Sequence, residues 1–157
     1  MIVIADTTPL NYLVLIGQIE VLPALYESVL IPLEVHRELQ RPKTPPSVRA
    51  WASSLPAWCE ERATASAPDA ALSELDAGER DAILLALEAG IDTLLMDEIE
   101  GRREAMRRHL HVTGTVAVLE TAAQRGLIDF RAALERLEQT SFRLSGKIRD
   151  EFIKRNP

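Results

Sequence analysis

Short apolar runs that alternate with helical segments constrain the fold of this chain more than any other feature. Residues 2–5 are wholly apolar and mostly β-branched, and residues 28–32 and 93–96 resemble them; such runs are typical of strands buried on both faces of a parallel sheet. Pro9 and Pro32 stand where a helix would begin directly after the first two runs. This order predicts an α/β protein, a three-layer α/β/α sandwich with a central parallel sheet.

Cap signals mark several of the predicted helices. Thr8 is a plausible N-cap before Pro9, and Asp76 with Glu79 three residues later is a capping box. Gly90 stands at a typical C-terminal stop. Weaker strands are predicted near residues 58–64 and 112–114, and helices over residues 10–16, 19–26, 32–40, 48–55, 76–89, 98–109, 116–124 and 130–138, with a last helix N-capped by Ser145.

The length of 157 residues predicts a single domain, in which residues 142–157 form a C-terminal extension packed on the rest. The single cysteine, Cys59, excludes an internal disulfide and fits a reducing compartment. No basic residue precedes the first apolar run, and no apolar run approaches the roughly 18 residues of a membrane span. We therefore expect a cytoplasmic protein without a membrane segment.

Two of the predicted buried strands end at an aspartate. Asp6 follows residues 2–5, and Asp97 follows residues 93–96. Because the carboxyl ends of parallel strands lie at one edge of a sheet, where ligands bind, the two side chains are expected to be neighbours. Helix capping is the alternative interpretation of each.

Two further acids are candidates on the helices that follow strand-like segments. Glu38 lies one turn after Glu34, so either could face the site. Asp81 lies about 200° around its helix from Glu79. Because the capping box already gives Glu79 a structural role, Asp81 is the better candidate. A solvated position is the alternative for both Glu38 and Asp81.

A cluster of four carboxylates needs a physical reason to exist. Two like charges 4 Å apart repel by about 4 kcal/mol at an effective dielectric constant of 20. A divalent cation removes this cost, and a set of oxygen ligands without Cys or His favours Mg²⁺ or Mn²⁺. Such an ion can clamp phosphate oxygens and activate water, which indicates phosphodiester hydrolysis.

Charge is distributed unevenly along the chain. The formal net charge is −6, which argues against a broad nucleic-acid-binding surface. The acidic stretch 60–100 is followed by a basic one that contains Arg102, Arg103, Arg107 and Arg108. These arginines either contact substrate phosphates beside the metal or form a solvated helix face.

Several segments together resemble the PIN domain, the fold of VapC-like ribonuclease toxins, over nearly the whole chain. They are residues 4–10 (Ile-Ala-Asp-Thr-Thr-Pro-Leu), 29–32 with 35–39, 78–83 (Gly-Glu-Arg-Asp-Ala-Ile), 94–98 with 101–103, and 112–115 (Val-Thr-Gly-Thr). The last of these, with residues 142–145 (Phe-Arg-Leu-Ser), is similar to one prokaryotic branch of the family.

The resemblance implies a function and a set of site residues. It implies a metal-dependent ribonuclease that cleaves single-stranded RNA, forms a homodimer and is neutralised by a small antitoxin. The implied tetrad around Mg²⁺ or Mn²⁺ is Asp6, Glu38, Asp81 and Asp97, with Thr8, Thr115 and Glu79 as further candidates. A non-catalytic module that binds RNA or a partner is the alternative. An aspartyl phosphatase is disfavoured, because Thr8 stands where that chemistry needs a second Asp.

Overall fold

The computed structural model describes all 157 residues and has at its centre a sheet of five parallel strands. The strand order is β3-β2-β1-β4-β5, so the first strand of the chain is the middle strand of the sheet. The predicted α/β architecture is confirmed. The strands are β1 (Ile2–Ala5), β2 (Ser28–Pro32), β3 (Cys59–Arg62), β4 (Thr93–Leu95) and β5 (His111–Thr113).

The register of β1 determines what meets at the carboxyl edge of the sheet. Ile4 pairs with Leu30 of β2 on one side and with Leu94 of β4 on the other. The next amide, that of Asp6, donates to the carbonyl of Leu95 at 2.9 Å. Residues directly after β1 and β4 therefore lie side by side, as the two strand endings predict.

Helices connect successive strands and cover both faces of the sheet. They are α1 (Thr7–Leu15), α2 (Val21–Leu25), α3 (Leu33–Leu39), α4 (Pro46–Ala52), α5 (Ala70–Ser73), α6 (Ala77–Ala89), α7 (Ile99–Arg107), α8 (Thr115–Gln124), α9 (Phe130–Glu138) and α10 (Gly146–Arg155).

Helix α1 begins one residue after β1, which differs from the expected N-cap at Thr8. Asp6 is extended and is itself the N-cap residue, although its side chain makes no capping hydrogen bond. Strand and helix are therefore joined by a single residue. As a result, the hydroxyls of Thr7 and Thr8 lie in the first turn of α1, at the edge of the sheet.

The two faces of the sheet have separate cores. A cluster of 23 buried residues combines one face with helices that include α1, α3, α8 and α9. A cluster of 12 combines the other face with α5, α6 and α7. Val3 belongs to the first cluster and its neighbour Ile4 to the second, which is the alternation of a strand buried on both sides.

The C-terminal helix α10 lies on the surface and contributes no buried residue. The predicted cap is confirmed, because the Ser145 hydroxyl oxygen accepts from the Ile148 amide at 3.2 Å. The ring of Phe152 lies 6.2 Å from that of Phe130, and Arg155 pairs with Glu120 of α8. These contacts hold α10 against α8 and α9. No helix of the chain is both long enough and apolar enough to cross a membrane.

Candidate metal centre

Asp6 lies at the centre of a group of carboxylates at the carboxyl edge of the sheet. Only 3% of the Asp6 surface is exposed to solvent. Burial raises the pKa of Asp6 well above its usual value, the charges of Glu98, Glu38 and Glu79 raise it further, and the nearby Thr7 amide lowers it. An acid in such surroundings either keeps its proton or binds a cation.

Glu79 reaches Asp6 from the first turn of α6. The predicted capping box is present, and the Asp76 amide donates to Glu79 Oε2 at 3.3 Å. One carboxylate oxygen each of Asp6, Glu79 and Glu98 lies within 4.8 Å of the others. Burial, followed by the charges of Asp76 and Glu98, raises the pKa of Glu79 to about 7. Glu79 therefore both caps a helix and belongs to the acidic cluster.

Glu98 is a member of the cluster that the sequence did not single out. It is the N-cap residue of α7, directly after Asp97, and its Oε1 accepts from the Thr8 hydroxyl. Its other oxygen, Oε2, is buried and has no hydrogen-bond partner. A buried carboxylate oxygen left unpaired is costly, and a bound cation would satisfy it. The only sequence signal for Glu98 was its place in a pair of acids, Asp97 and Glu98, shortly after β4.

Glu38 approaches the cluster from α3, where Thr7 donates a hydroxyl hydrogen bond to its Oε2. A Cβ built on Gly78 would lie 2.7 and 2.9 Å from the two carboxylate oxygens of Glu38 and 3.1 Å from Asp6 Oδ1. The absence of a side chain at Gly78 thus gives both acids their space beside α6. Among the predicted residues, Asp6 and Glu38 are brought together.

Asp97 lies beside Glu98, and the start of α8 holds it in place. Its Oδ1 accepts from the Thr115 amide at 2.9 Å, and its Oδ2 accepts from the Thr115 hydroxyl at 2.6 Å. Burial raises the pKa of Asp97, while the two bonds from Thr115 lower it. A Cβ on Gly114 would lie 2.9 Å from Asp97 Oδ1. The alternative of Asp97 capping the helix after β4 does not apply, because Glu98 is the N-cap residue of α7.

Asp81 and most of the arginines of α7 bond to groups outside the acidic cluster. Asp81 accepts from Arg80 Nε at 2.8 Å and is not a member of the cluster formed by Asp6, Glu79 and Glu98. Arg102 donates to the Met96 carbonyl at 3.0 Å and acts electrostatically on Asp97. Arg103 is exposed. The remaining two are paired, Arg107 with Glu104 and Arg108 with both Glu104 and Asp69.

The donor set fits a hard divalent cation. All candidate ligands are carboxylate or hydroxyl oxygens, which is the chemistry that Mg²⁺ and Mn²⁺ favour. The unpaired oxygen of Glu98 and the raised pKa values of Asp6 and Glu79 are both relieved by a positive charge among these groups. The cluster is therefore compatible with metal binding.

Comparison with known proteins gives one match. The family model described as DUF3368, a PIN domain, matches residues 2–156. No curated protein and no solved structure matches the chain. The match extends over all five strands and the whole of the last helix, and it includes every residue of the acidic cluster.

Proposed function

The chain belongs to the PIN-domain family, and on that basis we propose that it is a metal-dependent endoribonuclease that hydrolyses single-stranded RNA. PIN domains are generally nucleases. The observation that carries the proposal is the buried cluster of Asp6, Glu79 and Glu98, in which a carboxylate oxygen of Glu98 has no hydrogen-bond partner.

Three acids of the cluster would hold the ion. Asp6, Glu79 and Glu98 share the space between β1, α6 and the start of α7, and Glu38 borders it from α3. A bound Mg²⁺ or Mn²⁺ would supply a Lewis acid for the phosphate oxygens and an acidified water. Asp97, oriented by both donors of Thr115, would accept a hydrogen bond from a coordinated group or hold the ion directly.

The third acid of the tetrad has two candidates. Glu79 lies in the cluster, which supports it as a ligand. Asp81, the candidate from the sequence, is paired with Arg80. We propose Glu79 for this role. A comparison of the Glu79→Gln and Asp81→Asn variants decides between them, since only the true ligand is needed for cation-dependent cleavage.

The biological setting proposed is that of a VapC-like toxin in a type II toxin–antitoxin pair. The resemblance of residues 4–10, 78–83 and 112–115 to that group supports it. On this proposal the protein is a cytoplasmic homodimer that a small antitoxin protein neutralises. Co-expression with the product of the neighbouring reading frame, followed by growth and co-purification assays, tests this.

The proposed activity is tested by cleavage of a pool of single-stranded RNAs. Wild type is assayed with Mn²⁺, Mg²⁺ or EDTA beside an Asp97→Asn variant purified identically. Cleavage that requires the cation and is lost in the variant supports the proposal. Equal cleavage by both proteins indicates a contaminating nuclease, and RNA binding without cleavage favours a non-catalytic PIN module.

A further inference from the structure

A cavity of about 580 Å³ opens beside the acidic cluster. One wall is formed by Thr8, Asp97 and Glu98, which also belong to the candidate metal centre. The segment before α10, α10 itself and Ala117 of α8 also line the cavity. The cavity is thus continuous with the carboxylates, and its volume falls in the range of about 300–1,000 Å³ typical of small-molecule sites.

Part of the cavity lining is apolar and aromatic. Half of the 16 lining residues are hydrophobic. Tyr12 and Phe142 meet edge to face, with ring centroids 5.0 Å apart at 83°, and the Tyr12 hydroxyl is 2.8 Å from the Ser141 hydroxyl. These contacts fix the Phe142 ring, so the cavity offers a pre-positioned aromatic side chain rather than a flexible one.

Polar groups at the cavity complement this apolar lining. Arg102 and Arg143 line it, and Arg143 is exposed. The Ser145 oxygen accepts a capping hydrogen bond, so its hydroxyl hydrogen is free to donate. In a chain of net charge −6, two arginines beside an apolar cavity and a carboxylate cluster are a local exception.

We propose that this cavity binds one unstacked nucleobase of the RNA strand whose phosphodiester lies at the carboxylate cluster. The inference rests on the proposed nuclease function. A flat heteroaromatic base has apolar faces for Phe142 and polar edges for Ser145, while the arginines contact the flanking phosphates. Only a base removed from a duplex exposes both faces, so the cavity selects single strands.

A protein side chain is the competing occupant, and the position of the cavity favours the base. Glu98 of the cluster lines the cavity together with its neighbours Thr8 and Asp97, so a strand held at the cluster by its phosphate places the adjacent base at the opening. The arginines match the charge of that strand. An apolar side chain would explain neither the arginines nor the free hydroxyl.

The test measures binding separately from cleavage. In an Asp6→Asn background, which changes the cluster but not the cavity wall, the affinity for a short single-stranded RNA is compared with that for copies carrying one abasic nucleotide at successive positions. We expect one position to weaken binding about 5- to 150-fold, the effect of losing one base–aromatic stack. Phe142→Leu, which keeps apolar volume but removes the ring, should abolish most of this difference. Leu127→Ala, at an exposed residue outside the cavity, should not.

A second cavity variant is needed in case Phe142→Leu disturbs the fold. Ala117→Leu adds volume inside the cavity from α8 while Phe142 keeps its ring, and circular dichroism verifies the fold of each variant. It should also remove the penalty of the abasic position. If every abasic RNA binds equally, or the penalty survives both variants, the base pocket is refuted and the cavity is left for a protein side chain. Cation-dependent cleavage by wild type would still support the nuclease, so the two proposals fail separately.

Discussion

Replacement of Glu79 by glutamine tests the electrostatic reasoning about the acidic cluster most directly. Burial and the neighbouring acids raise the pKa of Glu79 from 4.5 to about 7, whereas the unfolded chain keeps the ordinary value. Between these pH values the folded protein holds a proton that the unfolded chain has lost, so wild-type stability falls as the pH rises. The shift corresponds to about 3 kcal/mol.

The Glu79→Gln variant lacks this titration. Glutamine keeps an oxygen that can accept from the Asp76 amide, so the cap of α6 is preserved. The free energy of unfolding of the variant, relative to wild type, should therefore increase by about 3 kcal/mol between about pH 4.5 and pH 8. For a chain of this length the difference corresponds to roughly 6–12 °C in Tm.

Urea unfolding followed by circular dichroism in EDTA, at several pH values, measures the effect. Glu135→Gln, on the exposed side of α9, is the matched control and should show no such trend. Mn²⁺ at 100 times its Kd should stabilise wild type by about 2.7 kcal/mol at pH 8, and the variant by less. A difference between variant and wild type that does not change with pH would refute the reasoning.

Three further predictions concern the same site. Gly78→Ala should displace Glu38, because the new methyl group would lie 2.7 Å from a Glu38 oxygen. Mn²⁺ binding measured by calorimetry should weaken at least tenfold. The control Gly146→Ala, where a Cβ would meet nothing within 4 Å, should leave Mn²⁺ binding unchanged. Thr115→Val should lower the free energy of unfolding in urea by about 1–3 kcal/mol, because it leaves an oxygen of buried Asp97 without its hydroxyl donor. A decrease below about 0.5 kcal/mol would contradict this reasoning. EDTA should abolish RNA cleavage and Mn²⁺ restore it, and cleavage that persists in EDTA would exclude the metal centre as its source.

The fold was largely predictable because its determinants are local. The apolar runs of β1, β2 and β4 can be buried on both faces only inside a covered parallel sheet. The capping box at Asp76 and the cap at Ser145 were also readable, because each depends on residues within one helical turn. The observed helix start differed from the predicted one where a single residue joins strand and helix, as at Asp6.

The composition of the acidic cluster was harder to predict, for a geometric reason. Beyond the end of β4 the alternation of a strand no longer determines direction, so the sequence could not say that Glu98 turns toward Asp6. The argument that favoured Asp81 assumed that a capping acid is unavailable to a site. In the structure the first turn of α6 meets the edge of the sheet, so Glu79 caps the helix and also reaches the acidic cluster.

The order of the strands has a consequence for how the protein is synthesised. β1 is translated before the other four strands but needs β4, which follows both β2 and β3 in the chain, as its second neighbour. Asp6 and Glu98 therefore cannot meet until the chain has been translated past β4, and Asp97 gains its partner Thr115 later still. A nascent chain that stops before this point holds scattered acids and no assembled centre. Long-range closure of this kind slows folding, and it also delays any activity of the cluster until the chain has been translated past Thr115.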